Sequence, residues 1–170
     1  MKNALENTIS LMKRTSIEKC TEPRQEEHDE QYLLVVDTSS VTNEMERLEI
    51  IIKHYRYCLG KGISETLMSG FIINQANVIE KRVNDADGFF CEISFRPKND
   101  ILVIKPKGRY AVLDHQGSYD TIHLTFDRLF KFIENENLTI NGNAYIFEVI
   151  GFRTVKNSDR YVIKIAIEVI

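Results

Sequence analysis

One acidic residue stands in a predicted strand that is otherwise apolar on both faces. The strand covers residues 143–152 (NAYIFEVIGF), and one of its faces carries Glu148 between Ile146 and Ile150. A carboxyl group in an apolar setting has a raised pKa, and its ionised form attracts cations strongly. Glu148 is therefore a candidate for binding a cationic ligand, or else for a structural ion pair with a neighbouring Lys or Arg.

Glu92 is a second acid in a strongly apolar strand, FFCEISF. Its own face carries Phe90 and Ser94, whereas the opposite face is uniformly apolar. Since alternating strands place polar residues towards solvent, this pattern favours a half-exposed surface acid over a ligand-binding one. Glu92 stays a weaker candidate for the site than Glu148.

Aromatic side chains are numerous for a chain that contains no Trp. Such side chains can line a pocket and stack on an aromatic cation, or they can form ordinary core. Phe126 and Phe130 lie on the apolar stripe of a predicted helix, which favours the core. The candidates for a ligand pocket are Tyr57, Tyr110, Tyr119, Tyr145 and Phe147.

The residue types of nucleophilic and metal chemistry are present without the usual spacing. His115 precedes Ser118, but no orienting acid is fixed nearby, so a structural role for His115 and a capping role for Ser118 are expected. The cysteines Cys20, Cys58 and Cys91 lie far apart and show neither metal-ligand spacing nor a disulfide framework. We therefore predict no catalytic residue, no metal site and no cofactor.

The amino-acid composition limits the classes of protein to which this chain can belong. The chain has 170 residues, 43% of them apolar and 28% charged, which is typical of one globular domain. The net charge of −3 and the lack of a basic run argue against direct nucleic-acid binding. No apolar run has the length of a membrane span, and no secretory signal begins the chain. With few cysteines, these features predict a cytoplasmic protein.

Hydrophobic periodicity predicts the same plan twice along the chain. The first half has a strand at 32–38, a helix at 43–59 capped by Asn43, and strands at 69–80 and 88–96. The second half has a strand at 109–114, a helix from about residue 120, an Asn141-Gly142 turn, and strands at 143–152 and 160–170, with a short strand at 101–105 between the halves.

This plan predicts an α+β fold in which duplicated strand–helix–strand–strand units form an antiparallel-rich sheet with two main helices. A central groove between the halves is the natural place for a ligand. The domain is expected to cover 32–170, with halves 32–97 and 109–170. Residues 21–31 are acidic and contain Pro23, which is typical of a linker. Residues 1–20 are predicted to form a short helix with one narrow apolar stripe, typical of a frayed terminus or of the remnant of a dimerisation coiled coil.

The segments 107–133 (KGRYAVLDHQGSYDTIHLTFDRLFKFI), 138–150 (LTINGNAYIFEVI) and 160–169 (RYVIKIAIEV) together resemble the gyrase-inhibitor-like (GyrI-like) effector-binding domain. The matching positions are Gly108, Tyr110, His115, Gly117, Tyr119, Gly142, Tyr145, Tyr161, Ile165, Ile167 and Val169. The first half is similar in plan to the same domain in MerR-type, multidrug-sensing transcription regulators.

The resemblance implies a ligand groove between the halves in which aromatic residues and a buried glutamate bind lipophilic cations. It also implies that DNA is contacted only through a separate N-terminal domain, and that the protein forms a homodimer. The acid that members of the family place directly after the strand tyrosine is Ile146 in this chain. Lys164, in the last strand, joins the candidate ligand-binding residues because it could neutralise Glu148.

Three functions are compatible with these features. The first is a ligand-sensing effector-binding domain of a bacterial transcription regulator, with a small, aromatic or lipophilic and possibly cationic ligand. The second is a stand-alone hydrolase of the family, acting on cyclopropane-bearing compounds, in which Glu148 and a nearby Tyr serve as acid and base. The third is a protein-binding module similar to the gyrase inhibitor. We expect the first.

Overall fold

The computed structural model describes residues 21–61, 68–84, 86–94, 102–151 and 155–170. The predicted helix of residues 1–20 lies outside the described residues. The helices are α1 (Glu44–Gly60), α2 (Gln75–Ile79) and α3 (Ile122–Asn135), and α3 follows a single 3-10 turn at Tyr119–Thr121. The strands are β1 (Arg24–His28), β2 (Gln31–Asp37), β3 (Ser69–Ile73), β4 (Gly88–Ile93), β5 (Leu102–Lys105), β6 (Gly108–Gln116), β7 (Ile140–Ile150) and β8 (Val162–Val169).

The eight strands of the described residues form one antiparallel sheet in the order β1-β6-β8-β7-β3-β4-β2-β5. The units β2-α1-β3-β4 and β6-α3-β7-β8 repeat one plan, and each places its third strand between its first and second. The two units meet where β3 pairs with β7. The predicted α+β fold of duplicated units is confirmed.

The sheet curls into a half-barrel because its outer strands are tied by short connections. At one edge of the sheet β1 pairs with β6, and at the other edge β5 pairs with β2. Only two residues join β1 to β2, and only two join β5 to β6, so the two edges are held close together. The convex face packs against the helices, and the concave face encloses a second core. On the convex face, α3 buries Phe126, Leu129 and Ile133, while α1 buries Ile51 and Cys58.

A lysine lies inside the concave core. Lys105 is fully buried, its Nζ lies 3.9 Å from the centre of the Tyr110 ring and 5.7 Å from that of Tyr145, and no described residue accepts a hydrogen bond from it. Burial lowers the pKa of Lys105 to about 8, although the carboxylates of Glu168, Glu92, Asp29 and Glu26 favour the charged form. The ring faces supply the electrostatic attraction that this ammonium receives at short range.

The linker predicted for residues 21–31 is wrong in its centre, where β1 forms an edge strand. Its backbone pairs with β6, from Arg24 opposite Val112 to His28 opposite Gly108. The charged side chains are compatible with a strand because they contact one another: Glu26 pairs with Arg24 and with His28. The His28 hydrogen bond, and then Lys164 and Arg24, lower the pKa of Glu26 to about 2 against the effect of burial.

Two further predictions of local structure are wrong. The strand predicted at 69–80 ends at Ile73, because the Asn74 side chain accepts a hydrogen bond from the Asn77 backbone and begins α2. The Asn141-Gly142 pair does not turn the chain but lies in β7, where the register with β8 shifts. A Cβ at Gly142 would overlap the Glu168 carboxylate, so glycine avoids this overlap at the position where the register between β7 and β8 shifts. The predicted Asn43 cap is confirmed, since its side chain accepts from Met45 and Glu46.

We expect Gly70→Ala to destabilise the protein by about 3 kcal/mol or more. A Cβ at Gly70 would overlap the Ile146 carbonyl oxygen and lie 2.9 Å from the Ile146 carbonyl carbon, and backbone atoms cannot move aside as a flexible side chain can. Urea unfolding measures the loss. The control is Gly108→Ala, where nothing lies within 4 Å of the new Cβ and a change within about 0.5 kcal/mol is expected. Equal stability of both variants would contradict the close contact.

We expect Lys105→Met to raise the free energy of unfolding at pH 7 by about 1–3 kcal/mol, because the folded protein no longer carries a buried charge. Below pH 8 Lys105 is protonated in both states and its penalty is complete. Between pH 8 and about 10 the folded protein releases the proton and the unfolded chain keeps it, so wild-type stability rises with pH. The variant should lack this rise in urea unfolding.

The control for this prediction is Lys107→Met, which removes the same charge from an exposed side chain. It should keep the wild-type rise between pH 8 and about 10 and change stability little. A Lys105→Met variant that is less stable than the wild type at pH 7 would show instead that the ammonium stabilises the concave core.

Candidate functional site

A groove lies on the convex face between α1 and α3, above the junction of β3 and β7. It contains a cavity of about 270 Å³. Phe71 from β3 and Ile146 from β7 form the floor, and apolar side chains of both helices form the walls. The lining residues are Glu44, Arg47, Leu48, Ile51, Phe71, Val83, Asn84, Ala86, Tyr119, Ile122 and Ile146.

Tyr119 and Glu148 form a hydrogen-bonded pair beside this cavity. The Tyr119 hydroxyl donates to Glu148 Oε1 at 2.7 Å, and only 4% of Glu148 is exposed. The Tyr119 ring also meets Phe71 edge to face, with ring centres 5.6 Å apart. Behind the pair, a Cβ at Gly151 would lie 3.1–3.3 Å from the carboxylate atoms, so glycine gives the carboxylate room. Tyr119 thus connects a buried carboxylate to the groove.

His115 positions the turn that carries Tyr119. The buried imidazole contacts the Ser118 carbonyl oxygen through Nε2 at 2.9 Å and the Thr125 hydroxyl through Nδ1 at 2.8 Å. Because a carbonyl oxygen can only accept, Nε2 carries a proton, and in the neutral ring the Thr125 hydroxyl donates to Nδ1. The Ser118 hydroxyl accepts from the Asp120 backbone and so caps the 3-10 turn. His115 therefore ties β6 to the turn and to α3.

A larger and more polar cavity of about 600 Å³ adjoins the groove. Arg47, Asn84 and Ala86 line both cavities. Its remaining lining is Ser39, Val41, Thr42, Asn77, Lys81, Arg82 and Asp87. Ligand sites combine a mainly apolar lining with a few polar groups, and the smaller cavity fits this description better than the larger one. We therefore take the α1–α3 groove as the candidate site.

The predicted site residues divide between the two faces of the sheet. Tyr119 and Glu148 meet at the groove, whereas Tyr110, Tyr145 and Phe147 lie in the concave core. There Phe147 packs against Phe90 and the tyrosine rings contact Lys105. These three aromatic residues were predicted to line the ligand pocket, but none of them lines the groove.

The other three predicted residues make separate contacts. Glu92 accepts hydrogen bonds from Gln31 Nε2 at 2.9 Å and from the Met68 backbone at 3.2 Å. Lys164 lies opposite Phe147 and its Nζ is 3.7 Å from Glu26 Oε2, so its ion pair is with Glu26. Tyr57 is exposed on α1, with Lys61 Nζ 5.2 Å from the centre of its ring.

Sequence reasoning missed two groups of residues. The groove floor, Phe71 and Ile146, was not among the predicted ligand residues, although the resemblance noted in the sequence places Ile146 where similar domains carry an acid. The structure also brings His54, Cys58 and Cys91 together, with their ligand atoms within 4.8 Å of one another, despite the prediction of no metal site. The spacing of four between His54 and Cys58 on a helix was the available signal, because it places both on one face.

Comparisons with known proteins agree with this architecture. The family model of the GyrI-like small molecule binding domain matches residues 89–170. No curated protein matches the sequence. Among the described residues, no helix is both long and apolar enough to cross a membrane.

Three solved proteins share the fold at low identity. An EcmrR chain in a complex with DNA superposes with a TM-score of 0.65 at 15% identity, over 98% of this chain and 66% of that chain. This chain thus spans about two thirds of the length of EcmrR. The separate EcmrR C-terminal domain gives a TM-score of 0.65 at 15% identity, over 88% of this chain and 97% of that one.

The other two solved proteins are a hydrolase and a protein with a bound organic cation. A hydrolase from Listeria innocua gives a TM-score of 0.57 at 12% identity, over 95% of this chain and 98% of that one. SAV2435, solved with tetraphenylphosphonium bound, gives 0.52 at 11% identity, over 88% and 94%. Identities this low establish the common fold alone. The family model shows a GyrI-like small molecule binding domain at residues 89–170 of this chain.

Proposed function

We propose that the α1–α3 groove binds a small lipophilic molecule and that this chain is the effector-binding part of a bacterial transcription regulator. The observation that carries the proposal is the apolar cavity at the junction of the two halves, beside the Tyr119–Glu148 pair. The family match and the common fold with the EcmrR C-terminal domain support it.

The cavity limits the ligand to a compact, mostly apolar molecule. Its volume of about 270 Å³ is near the lower end of the range for small-molecule sites. Phe71 and Tyr119 offer aromatic surface, and Leu48, Ile51 and Ile146 offer aliphatic surface. A ligand with several aromatic rings would bury part of its surface against these side chains, which is the main source of affinity in such a pocket.

Glu148 would give the groove a preference for cations. Its carboxylate lies behind the Tyr119 hydroxyl, so it acts on a ligand by its field rather than by direct contact. Because Ile146 replaces the acid on the floor, this preference should be weaker than in family members that retain the acid. Arg47 and Glu44 at the groove carry opposite charges and add little net potential. The tetraphenylphosphonium bound by SAV2435 supports a cationic ligand by analogy of fold.

Ligand binding would act on the two helices that form the walls. A ligand that fits one spacing of α1 and α3 better than another shifts the protein towards that conformation. In a regulator, this shift would be coupled to DNA affinity through a separate domain and a homodimer. The EcmrR–DNA complex, of which this chain spans only a part, supports DNA contact through another domain.

Glu148→Gln should lower the affinity for tetraphenylphosphonium about tenfold and leave that for neutral triphenylphosphine oxide unchanged. One unit charge at roughly 10 Å contributes about 1.7 kcal/mol at an effective dielectric constant near 20. The glutamine still accepts a hydrogen bond from Tyr119, so the loss reports charge. Isothermal titration calorimetry measures both ligands.

The control for this measurement is Glu136→Gln, which removes the same charge from an exposed residue after α3. It should bind both ligands like the wild type. A wild-type protein that binds neither ligand would contradict the groove proposal, and equal losses for both ligands in Glu148→Gln would contradict the role of its charge.

Ile146→Glu should raise tetraphenylphosphonium affinity at least about tenfold, because it places a carboxylate directly on the groove floor. Affinity for triphenylphosphine oxide should not rise. The variant should also unfold at lower urea concentration without ligand, since an apolar floor then holds an acid. No gain in cation affinity by a folded variant would show that ligands do not contact Ile146.

The Tyr119–Glu148 pair favours one second candidate function, hydrolysis of a small lipophilic substrate. A buried carboxylate 2.7 Å from a phenol can move a proton to or from a reacting group. The hydrolase from Listeria innocua with the same fold supports this reading. Turnover of cyclopropane-bearing substrates that is lost in both Tyr119→Phe and Glu148→Gln would establish it, and substrate binding without turnover would exclude it for those compounds.

A further inference from the structure

A histidine and two cysteines meet between α1 and β4. His54 and Cys58 project from adjacent turns of α1 towards the sheet, where Cys91 lies in β4. Cys58 and Cys91 are 1% and 4% exposed, and the three ligand atoms lie within 4.8 Å of one another. We propose that His54, Cys58 and Cys91 bind one Zn²⁺ ion that joins α1 to the sheet.

The observed distances are close to those of a zinc site. Bond lengths of about 2.3 Å to sulfur and 2.0–2.1 Å to nitrogen imply separations of about 3.8 Å between two sulfurs and 3.5 Å between sulfur and nitrogen in a tetrahedron. His54 Nε2 lies 3.5 Å from Cys58 Sγ. The upper limit of 4.8 Å means that Cys91 Sγ lies at most about 1.0 Å too far from Cys58 Sγ and about 1.3 Å too far from the His54 nitrogen for such a tetrahedron.

Charge balance favours Zn²⁺ over a monovalent ion. Two thiolates, a neutral imidazole and Zn²⁺ form an uncharged complex, whereas Cu⁺ in the same ligands leaves a net negative charge. The cluster is surrounded by the apolar side chains of Leu34, Ile51, Phe89 and Ile93. Burial of a net charge among such side chains costs free energy, so the uncharged complex fits better.

His54 Nε2 faces both the Cys58 thiol and the backbone of β2. Its Nε2 lies 3.0 Å from the Leu34 carbonyl oxygen, and Leu34 is paired with Cys91 across β2 and β4. Zn²⁺ bound at Nε2 would replace the hydrogen bond between this nitrogen and the Leu34 carbonyl oxygen.

The site is separate from the groove but lies on the same helix. The His54 ring meets Phe89 edge to face at 6.2 Å between ring centres. Phe89 in turn meets Phe71 of the groove floor at 5.4 Å. Zinc would therefore fix the helix that forms one wall of the groove without occupying the groove. The proposal does not depend on which ligand the groove binds.

Titration of the reduced, chelator-treated protein with Co²⁺ tests the site, because Co²⁺ bound to thiolates absorbs in the near ultraviolet. We expect this absorption to saturate at one ion per chain and to disappear when Zn²⁺ is added. Cys58→Ser and Cys91→Ser should each abolish it. The matched control, Cys20→Ser, removes the remaining cysteine of the chain and should bind one ion like the wild type.

A second measurement uses the wild-type protein and so does not depend on the folding of variants. Cys58 and Cys91 are buried and should react slowly with a thiol reagent in the chelator-treated protein, and Zn²⁺ should slow the reaction of these two of the three thiols further. Absence of the Co²⁺ absorption, loss of binding in Cys20→Ser, or unprotected thiols at saturating Zn²⁺ would each overturn the proposal. Retention of binding in both Cys58→Ser and Cys91→Ser would also overturn it.

Discussion

The pairing of β3 with β7 is the constraint on which the rest of the structure depends. It joins the two repeated units into one sheet, and it sets Phe71 directly opposite Ile146. The strands pair this closely because Gly70 presents no side chain to the Ile146 backbone. The groove floor is thus a direct product of the contact between the halves, and α1 and α3 become its walls because each belongs to one half.

Aromatic residues have different contacts on the two faces of the sheet. On the concave face, the rings of Tyr110 and Tyr145 already contact a cation of the chain itself, the ammonium of Lys105. On the convex face, Phe71 and Tyr119 border a cavity. The same chemical attraction between rings and cations therefore contributes to internal packing on one face and is available to an outside molecule on the other.

Much of the architecture follows from sequence periodicity, but the sidedness of the site does not. The alternation in β7 correctly separates Ile146 and Glu148 from Tyr145 and Phe147. It does not say which face the helices cover, so both sets were predicted to serve one site. The polar strand β1 escaped detection because its stability comes from backbone pairing with β6 and from contacts around Glu26. The His54–Cys58 spacing was visible, but Cys91 joins them only through the fold.

The position of β8 has a consequence for the order in which the molecule is completed. This strand follows the other seven described strands in sequence and lies between β6 and β7. Without it the sheet consists of two separate pieces, β1-β6 and the run from β7 to β5. During synthesis the groove floor of β3 and β7 can therefore assemble before the strand that precedes α3 has joined the same sheet. The convex core under α3 includes side chains of residues 162–169, so it is complete only after the ribosome has released these residues.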